Sequence, residues 1–306
     1  MNKNIGKPVG MKIMAFAILL LTSMIWGFAF VAQRVGSESL GAFSFNGIRF
    51  ALGAVSLIPV ALLFEGEQLE RKKLKNTVLV SLAAGTVLFI ASALQQFGIE
   101  ITQSAGRSGF ITGLYTVLVP IISFVIYRQK NNIGVWMGAF VAVIGLFLLS
   151  VNENFSVGVG DLVLLIGAFF WAAHILVIDR FVNNISPLCF SMMQFAVCAA
   201  LNLIAAFFFE EITVAAVKTA LYPLLYGGLC SVGIAYTLQT IGQKYSDPTF
   251  AAIIFSTESV FSAIGGALIL KEKMLPRGYL GCLLIFVGII LSQITFGKKK
   301  KVDSQK

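Results

Sequence analysis

The chain has 306 residues, of which 58% are hydrophobic and 12% charged, and its mean hydropathy is +0.88. That balance lies outside the range of a soluble domain and marks an integral membrane protein. Short segments of alternating polarity, which a membrane β-barrel needs, are missing; the net charge of +9 comes from basic clusters between apolar runs, which signal topology rather than nucleic-acid binding.

Crossing a hydrocarbon core of about 30 Å takes roughly 20 helical residues. Ten apolar runs of that size follow one another, at 13–32, 43–64, 77–98, 108–127, 133–151, 162–180, 188–209, 221–242, 250–270 and 278–296. The first follows Lys3, Lys7 and Lys12 but exceeds a signal-peptide core and lacks a small-residue cleavage pattern, so it is expected to be a retained helix. With the N-terminus inside, the inner segments hold 16 basic residues, among them Arg71, Lys72, Lys73, Lys75 and Lys298 to Lys301, and the outer ones six. Both termini are therefore expected to be cytoplasmic, in a multi-pass protein of the cell (inner) membrane.

The pattern of the first five runs returns in the last five. "MIWGFAFVAQR" (Met24 to Arg34) reappears in character as "FFWAAHILVIDR" (Phe169 to Arg180), pairing Trp26 with Trp171. The second run, Phe43 to Phe64, resembles the seventh, Leu188 to Phe209, and sets Arg49 against Gln194. "ALQQFGIEIT" resembles "YTLQTIGQKYS" and sets Gln95 against Gln239. The offset is 145 residues for the first two pairs and 144 for the third. Because each half has an odd number of spans, the second copy starts on the opposite side from the first, so the repeats are inverted, as in many secondary transporters. The expected fold is an all-α integral membrane protein with ten transmembrane helices in two inverted five-helix repeats. The expected organisation is a cytoplasmic tail at 1–12, a first repeat at 13–151, a second at 162–296 and a basic tail at 297–306 that is drawn to anionic head groups.

Trp26-Gly27 early in the first span, Arg49 in the second, "SAGRSGFITGLYTVLVPIISFVIYRQK" across the fourth and "STESVFSAIGGALILKEK" across the ninth resemble EamA-type members of the drug/metabolite transporter superfamily. The resemblance covers about Ile13 to Phe296. It implies a permease for a small organic metabolite, directed outward, with an amino acid or related amphiphile as cargo. Ser259 stands where relatives often carry proline after the glutamate of the ninth span, so no proline kink is expected there.

An ionised side chain near the bilayer centre costs about 2.5–3.5 kcal/mol on insertion scales and must face a partner, the bundle interior or water. Glu258 shares a helical stripe with Ala251, Phe255, Ser262 and Gly265. It either binds a cationic group or a proton, or holds two helices in register. Arg49 shares a stripe with Asn46, Gly53 and Ser56; it either holds a carboxylate of the cargo or anchors backbone carbonyls. Its expected depth differs from that of Glu258 by about 9 Å, a stretch for a direct pair that a long arginine side chain or a bridging water could close. His174, the single histidine, is either a proton-coupling group or a hydrogen-bonded packing residue. Trp26 and Trp171 read as aromatic walls or as packing, and Gln95 and Gln239 as gate residues or interhelical bonds. Tyr115 of the fourth span and Gln194, the counterpart of Arg49, complete the set of cavity candidates.

No metal-ligand spacing, Walker A, HExxH or GxSxG sequence occurs, so neither cofactor, metal, ATP-driven transport nor an embedded enzyme is expected. The alternative on the same fold is a membrane sensor or scaffold that does not transport. The expected partners are a small-molecule substrate, the bilayer and, through Glu258 or His174, a proton or cation; nucleic acid is not expected. The composition gives no oligomeric state.

Overall fold

A computed structural model describes residues 9–65, 71–128, 131–150, 158–271 and 275–293. The proposed tails lie largely or wholly outside them, including Lys298 to Lys301. The helices are α1 (Val9–Gly36), α2 (Ala42–Glu65), α3 (Arg71–Thr102), α4 (Ala105–Gly113), α5 (Tyr115–Tyr127) and α6 (Ile133–Ser150). Next come α7 (Val159–Phe181), α8 (Pro187–Phe209), the short α9 (Val214–Thr219) and α10 (Leu221–Leu225), and a π-helical segment (Tyr226–Tyr236). The chain ends on α11 (Thr237–Gln243), α12 (Pro248–Phe255), α13 (Glu258–Ile269) and α14 (Pro276–Gln293).

Among the described residues, eight of the ten expected spans are long and apolar enough to cross a membrane, and α6 and α14 are shorter apolar helices in the places of the fifth and tenth. The fourth is α4 and α5 in line, the eighth is α10, the π segment and α11, and the ninth is α12 and α13. The contacts follow the repeat: α2 packs on α8, and α6 on α14. The packing of α3 on α7 is matched by that of α1 on the eighth span, its counterpart after exchange of halves. The inversion is visible at the ends of the α2/α8 pair. The Glu65 carboxylate, closing α2, accepts hydrogen bonds from the first amides of α8, and the Glu210 carboxylate, just past α8, accepts them from the first amides of α2. Each helix ends where the other begins, so the equivalent helices of the two halves are antiparallel.

The ninth span breaks without proline. Ser256 and Thr257 turn their hydroxyls back to the carbonyls of Ile253 and Ile254, both at 2.7 Å, and α13 starts afresh at Glu258. Ser and Thr compete with the helix for its own carbonyls in this way. Across the break, the Ser23 hydroxyl of α1 donates to the Phe255 carbonyl at 3.1 Å and lies 2.7 Å from that of Thr257. The stripe expected from Ala251 to Gly265 is therefore two helices, and Glu258 sits at the positive end of the second, where a negative charge is favoured.

The eighth span also departs from regular α geometry. An α-helix sets residues five apart about 140° from one another, whereas a π-helix closes its bonds at i+5 and brings them over each other. Ser231 and Tyr236 thereby share a face, while Gly228 and Gly233 lie against Leu52 and Ser56 of α2.

Peripheral packing rests on small residues. A Cβ on Gly138 would stand 2.5 Å from the Gly288 carbonyl of α14, and one on Gly145 would stand 2.6 Å from that of Gly281. Backbone cannot yield as a side chain can. Gly138→Ala is expected to cost about 1–3 kcal/mol as an overpacked contact, whereas Gly106→Ala, with nothing within 4 Å of its Cβ, should leave the melting temperature of the detergent-solubilised protein unchanged. Equal melting of the two variants would contradict this packing.

Candidate functional site

Between the halves lies a cavity lined by residues of both. One face of α1 supplies Trp26, Phe30 and Gln33, which recur at the i+4 and i+3 spacing of a helix. Gly27 makes that face available to α13, because a Cβ there would fall 2.3 Å from the Phe261 side chain and 2.6 Å from the Glu258 carbonyl. The bare backbone lets Trp26 and Glu258 reach one space.

The aromatic wall is built around Tyr236. Trp26 lies 4.7 Å from its ring and 5.1 Å from that of Phe255. Trp171, the repeat counterpart of Trp26, stacks on the same tyrosine at 6.1 Å and 17°. Two inverted tryptophans thus converge on one ring. Such pairs are worth about 0.5–1.5 kcal/mol each beyond the area they bury. The indole Nε1 of each tryptophan is buried with no hydrogen-bond partner, leaving a donor free on either side of the wall.

Arg49 enters from α2 and is 1% exposed. Its Nε donates to Asn46 Oδ1 at 2.9 Å, and Asn46 is held in turn by donating through Nδ2 to the Ser92 carbonyl at 2.9 Å. The guanidinium carbon lies 4.9 Å from the centre of the Phe50 ring and 5.8 Å from that of Phe45. Nη2 is buried without a partner. Among the described residues no carboxylate forms an ion pair with Arg49. A buried cation in that condition is costly, and an anion brought into the cavity would satisfy it.

Glu258, 4% exposed, occupies the other side. Tyr115, first residue of α5 after the break at Leu114, donates its hydroxyl to Glu258 Oε1 at 2.9 Å. The bond joins the two broken spans across the repeat interface. Arg49 and Glu258 line one cavity without pairing directly.

Gln95 lines the cavity and donates to Gln33 Oε1 at 3.2 Å, and Gln96 donates to the Gln33 carbonyl at 3.2 Å. Gln239 also lines it, with Oε1 unpartnered. His174 and Gln194 stand behind the wall. Nε2 of His174 lies 3.0 Å from Gln194 Oε1. The imidazole packs edge-on against Trp171 and Tyr236. Of the ten sequence candidates, seven therefore line the cavity, Asn46 braces Arg49, and His174 and Gln194 form a separate pair. No three His, Cys, Asp or Glu side chains group as metal ligands among the described residues.

Gln33, Thr112 and Tyr236 are lining residues that sequence reading passed over. The repeat comparison rewards positions that match, and Tyr236 falls opposite Ser92 in it. A tyrosine one helical turn before Gln239 was the available signal.

The EamA-like transporter family matches residues 13–151 and 158–294. A protein of Archaeoglobus fulgidus named as an uncharacterized transporter is 28% identical over 275 residues, covering 89% of this chain and 83% of the relative. The uncharacterized transporter YoaV of Bacillus subtilis is 24% identical over 290 residues, covering 92% and 97%. A solved crystal structure shares the fold with a TM-score of 0.76 at 16% identity, over 92% of this chain and 96% of that one. With both halves matched, the chain belongs to the EamA-like transporter family.

Proposed function

We propose that the protein is a secondary transporter that exports a small dipolar metabolite, an amino acid or related amphiphile, by alternating access of the central cavity. One observation carries this reading: an unpaired buried guanidinium and a buried carboxylate face a single aromatic cavity at the interface of two inverted repeats. Arg49 takes the carboxylate of the cargo, Glu258 takes its ammonium group, and the wall of Trp26, Tyr236 and Trp171 covers its apolar part. Glu258 also offers a place for a coupling proton when the cargo is absent. On this reading both termini face the cytoplasm, and residues 13–151 and 162–296 are the two repeats that rock about the site.

Purified protein in vesicles should show saturable flux of zwitterionic solutes, and absence of saturable flux with any small metabolite would favour a scaffold. Arg49→Gln should raise the half-saturating concentration for a zwitterion by about tenfold or more, the loss of one charged hydrogen bond being about 1.5–3 kcal/mol. It should spare the decarboxylated amine analogue, and an equal effect on both would remove Arg49 from recognition. Glu258→Gln should do the converse, weakening the amine and sparing the deaminated acid.

Cysteine labelling should find position 71 on the cytoplasmic side and position 271 on the outer side. The reverse pattern would overturn the proposed orientation.

A further inference from the structure

The ends of the α2/α8 pair carry a feature outside the cavity. Glu210 Oε1 accepts the Phe43 N–H at 2.9 Å, and Oε2 accepts the Ser44 N–H at 2.7 Å and the Ser44 hydroxyl at 2.6 Å. At the opposite end Glu65 Oε1 accepts the Leu188 N–H at 3.2 Å, and Oε2 the Cys189 N–H at 2.9 Å. Every member of one set is 145 residues from its equivalent in the other, the offset that relates Trp26 to Trp171. The two clasps are one device used at both faces.

An acid at the end of its own helix is opposed by that helix's dipole. Here each acid is satisfied by the free amides that begin the antiparallel partner, so the favourable term exists only while the two halves touch at that face. Between the clasps the pair is packed by Phe50 against Phe195, 6.2 Å between ring centres, and by the small repeat equivalents Ala54 and Ala199 in the same buried core. A pair closely packed at its middle and tied at both ends cannot rock open at one face without releasing the tie there. The Glu210 clasp also sits five residues before Arg49 on α2, about 7.5 Å along the axis, so its release shifts the helix that holds the cavity's cation.

We infer that Glu65 and Glu210 are positioning residues that set the face on which the cavity opens, each clasp holding its own face closed. This rests on the carrier reading, but its test needs neither cargo nor flux. Gly41 offers a way to loosen one clasp without touching a charge: a Cβ there would fall 2.4–2.7 Å from the Glu210 carboxylate group, the movable end of a side chain.

The test uses the full chain in its membrane, with the four native cysteines replaced and one reporter cysteine placed in the cavity by Ser231→Cys. A membrane-impermeant thiol reagent is applied from each side, without substrate. Glu210→Gln should raise the labelling ratio in favour of the Glu210 face by about tenfold, the scale of one charged hydrogen bond. Glu65→Gln should shift the ratio by a similar factor toward the other face. Gly41→Ala should follow Glu210→Gln, and the double variant Glu65→Gln/Glu210→Gln should return to the parental ratio.

If a glutamine variant does not reach the membrane, Glu65→Asp and Glu210→Asp, which keep the charge on a shorter arm, should shift the ratio in the same opposite directions. Shifts toward the same face, or no shift beyond twofold, would reduce the clasps to static structure and overturn the inference. Opposed shifts with no saturable flux of any solute would leave the clasps standing and count against the carrier reading alone.

Discussion

Arg49 holds a full charge inside an apolar bundle with one hydrogen bond, two aromatic faces and, among the described residues, no carboxylate partner. Much of the surrounding architecture follows from that constraint. Lipid would penalise the group, so α2 must turn it inward, and the inward side must be a cavity rather than a packed core. Asn46 and Ser92 fix the side chain so that its free nitrogen is not spent on a neighbouring carbonyl. The glycines of the π segment allow α2 to press against it: a Cβ on Gly228 would meet Leu52 at 2.7 Å, and one on Gly227 would meet Arg49 at 3.3 Å.

Glu258 solves the opposite problem with a different device. Its charge is accommodated by breaking the ninth span so that the acid falls at a helix start, with a tyrosine hydroxyl at 2.9 Å. Breaking a helix in a membrane exposes backbone carbonyls, and here Ser23, Ser256 and Thr257 direct hydroxyls to them. The polar residues of "STES" therefore divide the work: the Ser256 and Thr257 hydroxyls satisfy the break, the Glu258 carboxylate uses the helix end that the break creates, and the Ser259 hydroxyl donates to the Gly109 carbonyl of α4 at 2.8 Å.

The architecture was legible because membrane helices announce themselves by length and apolarity, and because Trp26/Trp171 and Arg49/Gln194 keep one offset. Seven of the ten site candidates line the cavity for a related reason: an intramembrane polar residue on a coherent stripe has few places to go. Three features were not legible. The break before Glu258 depends on which carbonyls the Ser256 and Thr257 hydroxyls choose, and stripes drawn at α-helical spacing pass straight over it. The π segment looks like an ordinary apolar helix in sequence, since its effect is to change the spacing by which stripes are drawn. Glu65 and Glu210 end their spans, where charged residues read as topology or solvation, and their partners are backbone amides that carry no signature in the sequence.

The two halves match in their mechanics and differ in their charges. The clasps are equivalent across the repeat, as are the tryptophans that flank Tyr236. Arg49, by contrast, faces a neutral counterpart in Gln194, and α13, which opens on Glu258, has its first-half counterpart in α5, which opens on the neutral Tyr115. That division has a physical logic for a carrier. Equal energies at the two faces need equivalent structural ties, which inverted copies supply without further tuning. Recognition of a dipole needs one positive and one negative end, and duplicating both charges in each half would place like charges about the same cavity and leave the cargo no preferred orientation. On the proposed reading, charge in only one copy of each pair lets a shell of equivalent ties hold a small zwitterion one way round.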